Sequence, residues 1–284
     1  MTQVVSFINM KGGVGKTTLA VNVAYGLAHF HKKQVLIVDA DPQFNATQYL
    51  LEDKRYLKHL KDEKGTLSDI FVRRPGRVDT VSGRAKKNAR GKISLAEARL
   101  NIFDGGTGRG KLDPIPSTLQ LMEIETSKRG TENNLRRFIT EQAMGYDYVI
   151  IDCPPTISIF TQAAILASDR YLVPIKPDPL SVIGLPLLER WLEDFTEDNG
   201  INVESVGLVF TLVRGPIPRR MKEVMDELRT ARTDQVFNTY LSQADCVARS
   251  VEDHQPVFLY RKSHKTTDQI LAITQEFLDR TIGA

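Results

Sequence analysis

QVVSFINMKGGVGKTT, residues 3–18, decides how the rest of this 284-residue chain is read. Its first half is an apolar, β-prone run of Val4, Val5, Phe7 and Ile8. A glycine-rich turn follows. A helical pattern then starts at once, with Leu19, Val23, Leu27 and Phe30 at i, i+4, i+8 and i+11. Strand, glycine loop and helix N-terminus in that order make a nest for an anion. The backbone N–H groups of Gly13, Val14, Gly15, Lys16 and Thr17 can all point inward, and the helix end adds partial positive charge. Gly12, Gly13 and Gly15 leave room for backbone to approach oxygen. Lys16 can reach β- and γ-phosphates, and the Thr17 hydroxyl can ligate Mg²⁺.

The phosphate-loop pattern G-x-x-x-x-G-K-[ST] asks for glycine at position 10, where Met10 stands, and a second lysine, Lys11, lies inside the loop. Lys11 is a solvated loop lysine, a second cation on the same nucleotide, or a cation that reaches a nucleotide held by a facing subunit. Two further stretches carry acids at strand ends. QVLIVDADPQFNAT (34–47) has four apolar residues in a row, as a parallel strand covered on both faces requires, and ends in Asp39 and Asp41. Ligands in open α/β sheets bind at such ends. The two aspartates can serve Mg²⁺ and a nucleophilic water, or cap the helix expected over 45–51. In YDYVIIDCPP (146–155), Asp152 closes a buried strand and suits Mg²⁺ held through water.

KGGVGKTT with its extra lysine resembles the deviant Walker A motif of the ParA/MinD family of P-loop ATPases, and DxDPQxNAT resembles that family's second motif. The resemblance covers nearly the whole chain apart from about residues 73–98, and is closest to short ParA-type partition ATPases without an N-terminal helix-turn-helix. It implies ATP and Mg²⁺ as ligands. Lys11, Gly12, Gly13, Val14, Gly15, Lys16, Thr17 and Thr18 would grip the nucleotide, with Thr17, Asp39 and Asp152 near the metal. Lys11 would cross the interface of an ATP-sandwich homodimer, Asp41 would position the attacking water, and Gln43 and Asn45 would sense the γ-phosphate. Thr211 and Leu212, at the end of the further central strand expected in 202–215, would contact adenine. The implied cycle is ATP-dependent dimerisation, DNA binding without sequence preference, and release by hydrolysis that a ParB-like adaptor stimulates. Its setting would be the cytoplasm, on the nucleoid. The alternative is a MinD-like ATPase acting on a protein or membrane surface.

The remaining features bound this reading. Composition is that of an ordinary globular protein, 41% hydrophobic and 26% charged, with net charge +3. A single α/β domain over 1–284 is expected, a doubly wound and mostly parallel sheet flanked by helices, since strand and helix patterns alternate throughout. The two cysteines, Cys153 and Cys246, make no CxxC pair, which argues against an iron–sulfur scaffold or a disulfide framework. The first strand begins too early for a signal peptide. Residues 73–92 hold eight Lys/Arg against Asp79 alone, and read as a basic loop insertion that is either solvated or a DNA or partner contact. Arg214, Arg219 and Arg220 cluster with Lys222 at the N-terminal end of a helix expected over 216–232, where cations do not help the helix dipole. With Arg261, Lys262 and Lys265 the three arginines are the candidate DNA contacts. Ser117 is expected to cap a helix, and 236–245 to form the last strand. The final helix, with Ile270, Ile273, Phe277 and Leu278 on one face, lacks the cationic polar face that anionic lipid requires and is expected to dock on the domain.

Overall fold

The computed structural model describes residues 2–72, 93–106, 110–124, 130–262 and 264–282. The basic stretch 73–92 lies outside them. Strand β1 (Gln3–Phe7) leads into α1 (Lys16–His29), then β2 (Gln34–Asp39), α2 (Asn45–Leu50), α3 (Asp53–Lys61), α4 (Leu67–Phe71) and α5 (Leu95–Ala98). A two-residue strand β3 (Phe103–Asp104) precedes β4 (Lys111–Ile115), α6 (Leu121–Ile124), α7 (Asn133–Gln142), β5 (Tyr148–Asp152) and α8 (Ile159–Ala167). The chain continues through β6 (Arg170–Ile175), α9 (Pro179–Asn199), β7 (Glu204–Phe210), α10 (Arg219–Ala231), α11 (Asp245–Glu252), α12 (Val257–Tyr260) and α13 (Lys265–Ile282).

The seven strands among the described residues are ordered β3-β4-β2-β5-β1-β6-β7, and every pair is parallel except β3 with β4. This is the doubly wound sheet expected from the alternation of strands and helices. Its strands alternate between two cores. Val5, Phe7, Val35 and Ile37 pack with α1 and α13, while Val4, Leu36, Val38 and Ile151 pack with α7, α8 and α9. β5, in the middle, is buried along its whole length. Ile270, Ile273, Phe277 and Leu278 of α13 are all buried, with the Phe277 ring 6.0 Å from that of Phe7. The last helix therefore docks on the sheet, as its sequence leads one to expect. Gly26 lets it lie close to α1, since a Cβ there would sit 2.8 Å from Thr274 Oγ1. Among the described residues no helix is long and apolar enough to cross a membrane.

Three local expectations are corrected. The strand in 202–215 is not central; β7 is the sheet edge. Residues 236–245 form no strand; isolated bridges join Leu208 of β7 to Val236 and Val213, three residues past β7, to Ser242. Between these the Asn238 N–H turns away to the Glu276 carboxylate, 3.0 Å distant, which interrupts a ladder that would otherwise cover the edge. Ser117 caps nothing: α6 starts at Leu121, and the Ser117 hydroxyl donates to the Asp41 carbonyl at 2.7 Å.

One buried charge braces the opposite side of the sheet. Asp113 on β4 is fully buried and accepts from Arg99, Tyr146 and Asn101, with Lys111 Nζ at 2.8 Å. The Tyr146 hydroxyl is pushed up by its burial and by donation to this carboxylate. Asp113→Ala would strand two cations around an apolar void. It should cost about 3–5 kcal/mol in equilibrium denaturation, and a loss under 1 kcal/mol would deny the network this role.

Candidate nucleotide site

The cleft opens at the C-terminal ends of the central strands. Gly13 (φ +67°) and Gly15 (φ +78°) hold left-handed conformations that turn the chain from β1 into α1. Among the described residues no side chain caps α1, and its first turn holds no acid. Among the described residues, none accepts a hydrogen bond from the backbone N–H groups of residues 13–17. They are an open anion nest of the kind the sequence suggests. Lys16 begins α1 and is only 7% exposed, with Nζ donating to the Lys11 carbonyl at 3.1 Å. Burial lowers its pKa, and the charges of Asp152 and Asp41 oppose that shift.

Two braces hold the loop: Asn9, which the sequence does not single out, and Thr211, which the sequence marks only as an adenine contact. Asn9 donates from Nδ2 to the Pro174 carbonyl (2.8 Å) and accepts from the Lys11 N–H (2.9 Å), tying the loop's entry to β6. Thr211 is fully buried, and its hydroxyl donates to the Val14 carbonyl at 2.5 Å. It therefore packs behind the loop, whereas Leu212, at φ +55°, lines the cleft. Gln43 and Asn45 line it too, joined by Gln48, Pro155 and Val251.

The strand register brings the acids together. Asp39 of β2 pairs with Asp152 of β5, which pairs with Phe7 of β1. Their environments differ. Asp39 accepts from the Thr47 N–H and hydroxyl, both at 2.7 Å, and from the Asp41 N–H at 3.2 Å. Burial raises its pKa to about 7 against the pull of the Thr47 bonds. Asp39 thus fastens the loop that carries Asp41 to α2. Asp41 lines the cleft opposite the phosphate loop, its Oδ1 accepting from the Gln43 N–H at 2.9 Å and its carbonyl held by Ser117. Asp152 is fully buried, and among the described residues neither of its carboxylate oxygens has a hydrogen-bond partner. Burial and the neighbouring Asp39 push its pKa well up, against the Thr17 hydroxyl and Lys16. Thr17 is near enough to temper that charge but does not reach hydrogen-bond geometry. Two orphaned acid oxygens beside a threonine hydroxyl fit a hard divalent cation, which takes oxygen ligands. Cys153, next in sequence, is buried with its thiol pushed up to about 12, the state of an inert core residue.

Lys11 does not point away from the molecule. Its Nζ lies 2.7 Å from both carboxylate oxygens of Asp178, the N-cap of α9, and 3.3 Å from Ser181 Oγ. Asp178 accepts from Ser181 as well. Burial would raise its pKa, but the bonds from Lys11 and Ser181 and the Lys11 charge hold it below the usual carboxylate range.

The candidate DNA contacts are exposed, and residues 240–243 run between two of them, Arg214 and Lys265. On one side Arg214 Nε donates to Gln243 at 3.2 Å. On the other, Lys265 sits over the Tyr240 ring at 5.7 Å and Gln269 bonds Ser242 in both directions. Arg261 and Lys262 lie just before α13, and Arg219 and Arg220 open α10, both paired with Glu223.

A family model described as AAA domain matches residues 2–204. The sporulation initiation inhibitor protein Soj of Bacillus subtilis is 27% identical over 279 residues, 97% of this chain and 98% of Soj. The virulence plasmid ParA family protein pGP5-D of Chlamydia trachomatis is 27% identical over 275 residues, 95% of this chain and 91% of the relative. A plasmid partition protein from Borrelia burgdorferi B31, solved bound to AMPPNP, superposes with a TM-score of 0.71 at 21% identity, over 99% of this chain and 98% of that one.

Proposed function

Because the chain belongs to the AAA domain family, among the P-loop ATPases of the ParA/MinD type, we propose that this ParA-like partition or positioning ATPase couples ATP binding to homodimerisation and to DNA binding without sequence preference. The observation that carries the reading is that, among the described residues, the backbone N–H groups of residues 13–17 and the buried Asp152 carboxylate have no hydrogen-bond partner, with the buried Lys16 side chain in the same loop. N–H groups left open at a helix N-terminus suit a polyphosphate.

The residues divide the work. The N–H groups of residues 13–17, with Gly12 and Thr18 flanking them, bind the phosphates. Lys16 neutralises charge that develops on the β–γ bridging oxygen as it leaves with ADP. Asp41 orients the attacking water and takes up its proton while oxygen bonds to the γ-phosphorus. Mg²⁺ would be held by Thr17 and Asp152 and would supply positive charge to the β- and γ-phosphate oxygens. Asp39 acts through its grip on Thr47 and the Asp41 N–H. Gln43 and Asn45 report the γ-phosphate to α2, and Leu212 packs against the base. Lys11 reaches the triphosphate of a facing copy, which makes closure depend on that triphosphate. A ParB-like adaptor accelerates a slow basal hydrolysis and so ends the DNA-bound state. The cycle runs in the cytoplasm, on the nucleoid.

Dimerisation doubles the basic footprint around 240–243. With ~3–5 phosphate contacts per subunit, the dimer binds duplex DNA ~10³-fold or more tighter than the monomer at moderate salt. The test is a salt titration of duplex binding with ATP–Mg²⁺. The triple variant Arg219→Ala, Arg220→Ala, Lys262→Ala should weaken binding at every sequence alike and flatten the log–log salt slope by about 0.9 for each phosphate no longer neutralised. An unchanged slope would remove these residues from the interface.

A further inference from the structure

Gln43 and Asn45 line the nucleotide cleft, but Phe44 between them lines a second pocket of about 460 Å³, with Tyr56, Leu60, Thr118 and Leu119. Phe44 sits at φ +47°, a conformation that residues other than glycine rarely take. The fold keeps a phenylalanine there, and its ring stacks on that of Tyr56 with centroids 6.0 Å apart. Thr118 is 6% exposed, and among the described residues its hydroxyl has no hydrogen-bond partner. A buried hydroxyl left unpaired in a pocket wall costs stability unless an occupant supplies the bond.

The rim restricts what that occupant can be. Leu60 and Leu119 are 36% and 58% exposed, and Leu57 and Met122, three residues from them, are 52% and 51% exposed. Lys54, Leu57 and Lys61 follow at i, i+3 and i+7 along α3, with Lys58 next to Leu57, and all of them are exposed. α3 holds Lys54, Arg55, Lys58 and Lys61 against Asp53 alone. Apolar side chains interleaved with cations match a protein segment that brings an apolar anchor with acidic neighbours. Duplex DNA offers phosphates without an apolar group, and a bilayer surface does not enter a pocket.

We propose that this pocket is the docking site for an acidic, apolar-anchored segment of a partner protein, and that the docked segment acts on hydrolysis through the walls it touches. The Tyr56 hydroxyl donates to the Ser117 carbonyl at 2.7 Å, and the Ser117 hydroxyl donates to the Asp41 carbonyl at 2.7 Å. The Phe44 N–H donates to that same Asp41 carbonyl at 2.8 Å. Both aromatic walls are thus bonded, directly or through Ser117, to the residue that carries the water-positioning carboxylate. The effect on turnover rests on the role of Asp41 proposed above; the docking does not. Tyr56 is a positioning residue here, acting on Asp41 only through Ser117.

The test selects random phage-displayed dodecapeptides against the full chain with ATP–Mg²⁺, then titrates the enriched peptide, synthesised with a fluorophore, by anisotropy. The enriched sequence should hold an aromatic or leucine anchor flanked by Asp or Glu. Leu119→Glu should weaken its binding by about 10-fold or more, as should Phe44→Gly, which keeps the left-handed turn and removes the ring. Thr118→Val should weaken it by about 2–10-fold. Fluorescent ATP-analogue binding by Leu119→Glu and Thr118→Val should stay at the wild-type level. Saturating peptide should change wild-type phosphate release by about 5-fold or more. Tyr56→Phe keeps the ring and loses the bond to Ser117, so it should bind the peptide and show no such change. No enriched peptide, one without acids, or one that binds Leu119→Glu as tightly as wild type overturns the docking site. If Leu119→Glu leaves the peptide bound but abolishes self-association or binding to duplex DNA or phosphatidylserine vesicles, the patch serves one of those and the proposal fails. An equal change of turnover in Tyr56→Phe, or none in wild type, overturns the coupling and leaves the docking site standing. Failure of the Asp41 role shows separately, as Asp41→Ala that keeps wild-type turnover.

Discussion

Lys16→Ala is expected to lower ATP turnover by at least about 10²–10³-fold, the cost of removing one donor from developing transition-state charge, with a clear loss of ATP affinity. Lys16 is the one side-chain cation buried at the floor of the loop, 7% exposed, and its Nζ is satisfied without nucleotide only by the Lys11 carbonyl among the described residues. Burial penalises its charge. The nucleotide-free fold therefore bears the cost of holding that cation, and the phosphates offset it on binding. This separates the expected effect from simple unfolding. Lys16→Ala should melt at or above the wild-type temperature without nucleotide and gain little from ATP–Mg²⁺. A variant that melts early, or that keeps more than a tenth of wild-type turnover in a phosphate-release assay, would contradict the role.

Asp41→Ala is expected to act on the other half of the cycle. Removing a positioned general base typically costs about 10²–10⁴-fold in the chemical step. The Asp41 carboxylate lines the cleft and accepts only from Gln43 among the described residues, so its loss leaves the phosphate loop and Lys16 in place. ATP affinity should change by no more than a few fold. The ATP-bound dimer should form normally and outlive the wild-type one, so DNA stays bound after free ATP is removed. Single-turnover hydrolysis beside a dissociation chase reads both effects. Equal loss of ATP binding and hydrolysis would make Asp41 a structural residue of the loop instead.

The site was legible in the sequence where backbone demands fix residue type. Left-handed Gly13 and Gly15, and the acids that close β2 and β5, follow from how a parallel sheet presents its strand ends, so residues 3–18, 34–47 and 146–155 come together as their patterns require. What escaped is long-range and specific. Nothing local says that Thr211 will hang on the Val14 carbonyl, 197 residues away, or that Ser117 will hold the Asp41 carbonyl. Asp39 looks like a metal ligand from its position, yet its oxygens are taken by Thr47 and the Asp41 N–H, because a buried carboxylate collects the nearest donors. The edge position of β7 was equally hidden, since its burial pattern, with five buried residues in a row, is the one a central strand would show. The covering segment 236–245 and the end of α13 exclude water from it without a full ladder. Lys11 stands out in the sequence as a second cation inside the loop, but its partner in the free chain, Asp178, lies 167 residues away and only the fold brings them together.

The measurement that bears most directly on the central claim is binding of random-sequence duplex DNA by the wild-type chain with ATP–Mg²⁺, with ADP–Mg²⁺ and without nucleotide, at one fixed moderate salt concentration. Binding should be tight with ATP–Mg²⁺ alone, and weaker by ~10³-fold in the other two states because the monomer offers half the phosphate contacts. Affinities that agree within a few fold across the three states, or no binding in any, would contradict a nucleotide-controlled DNA switch.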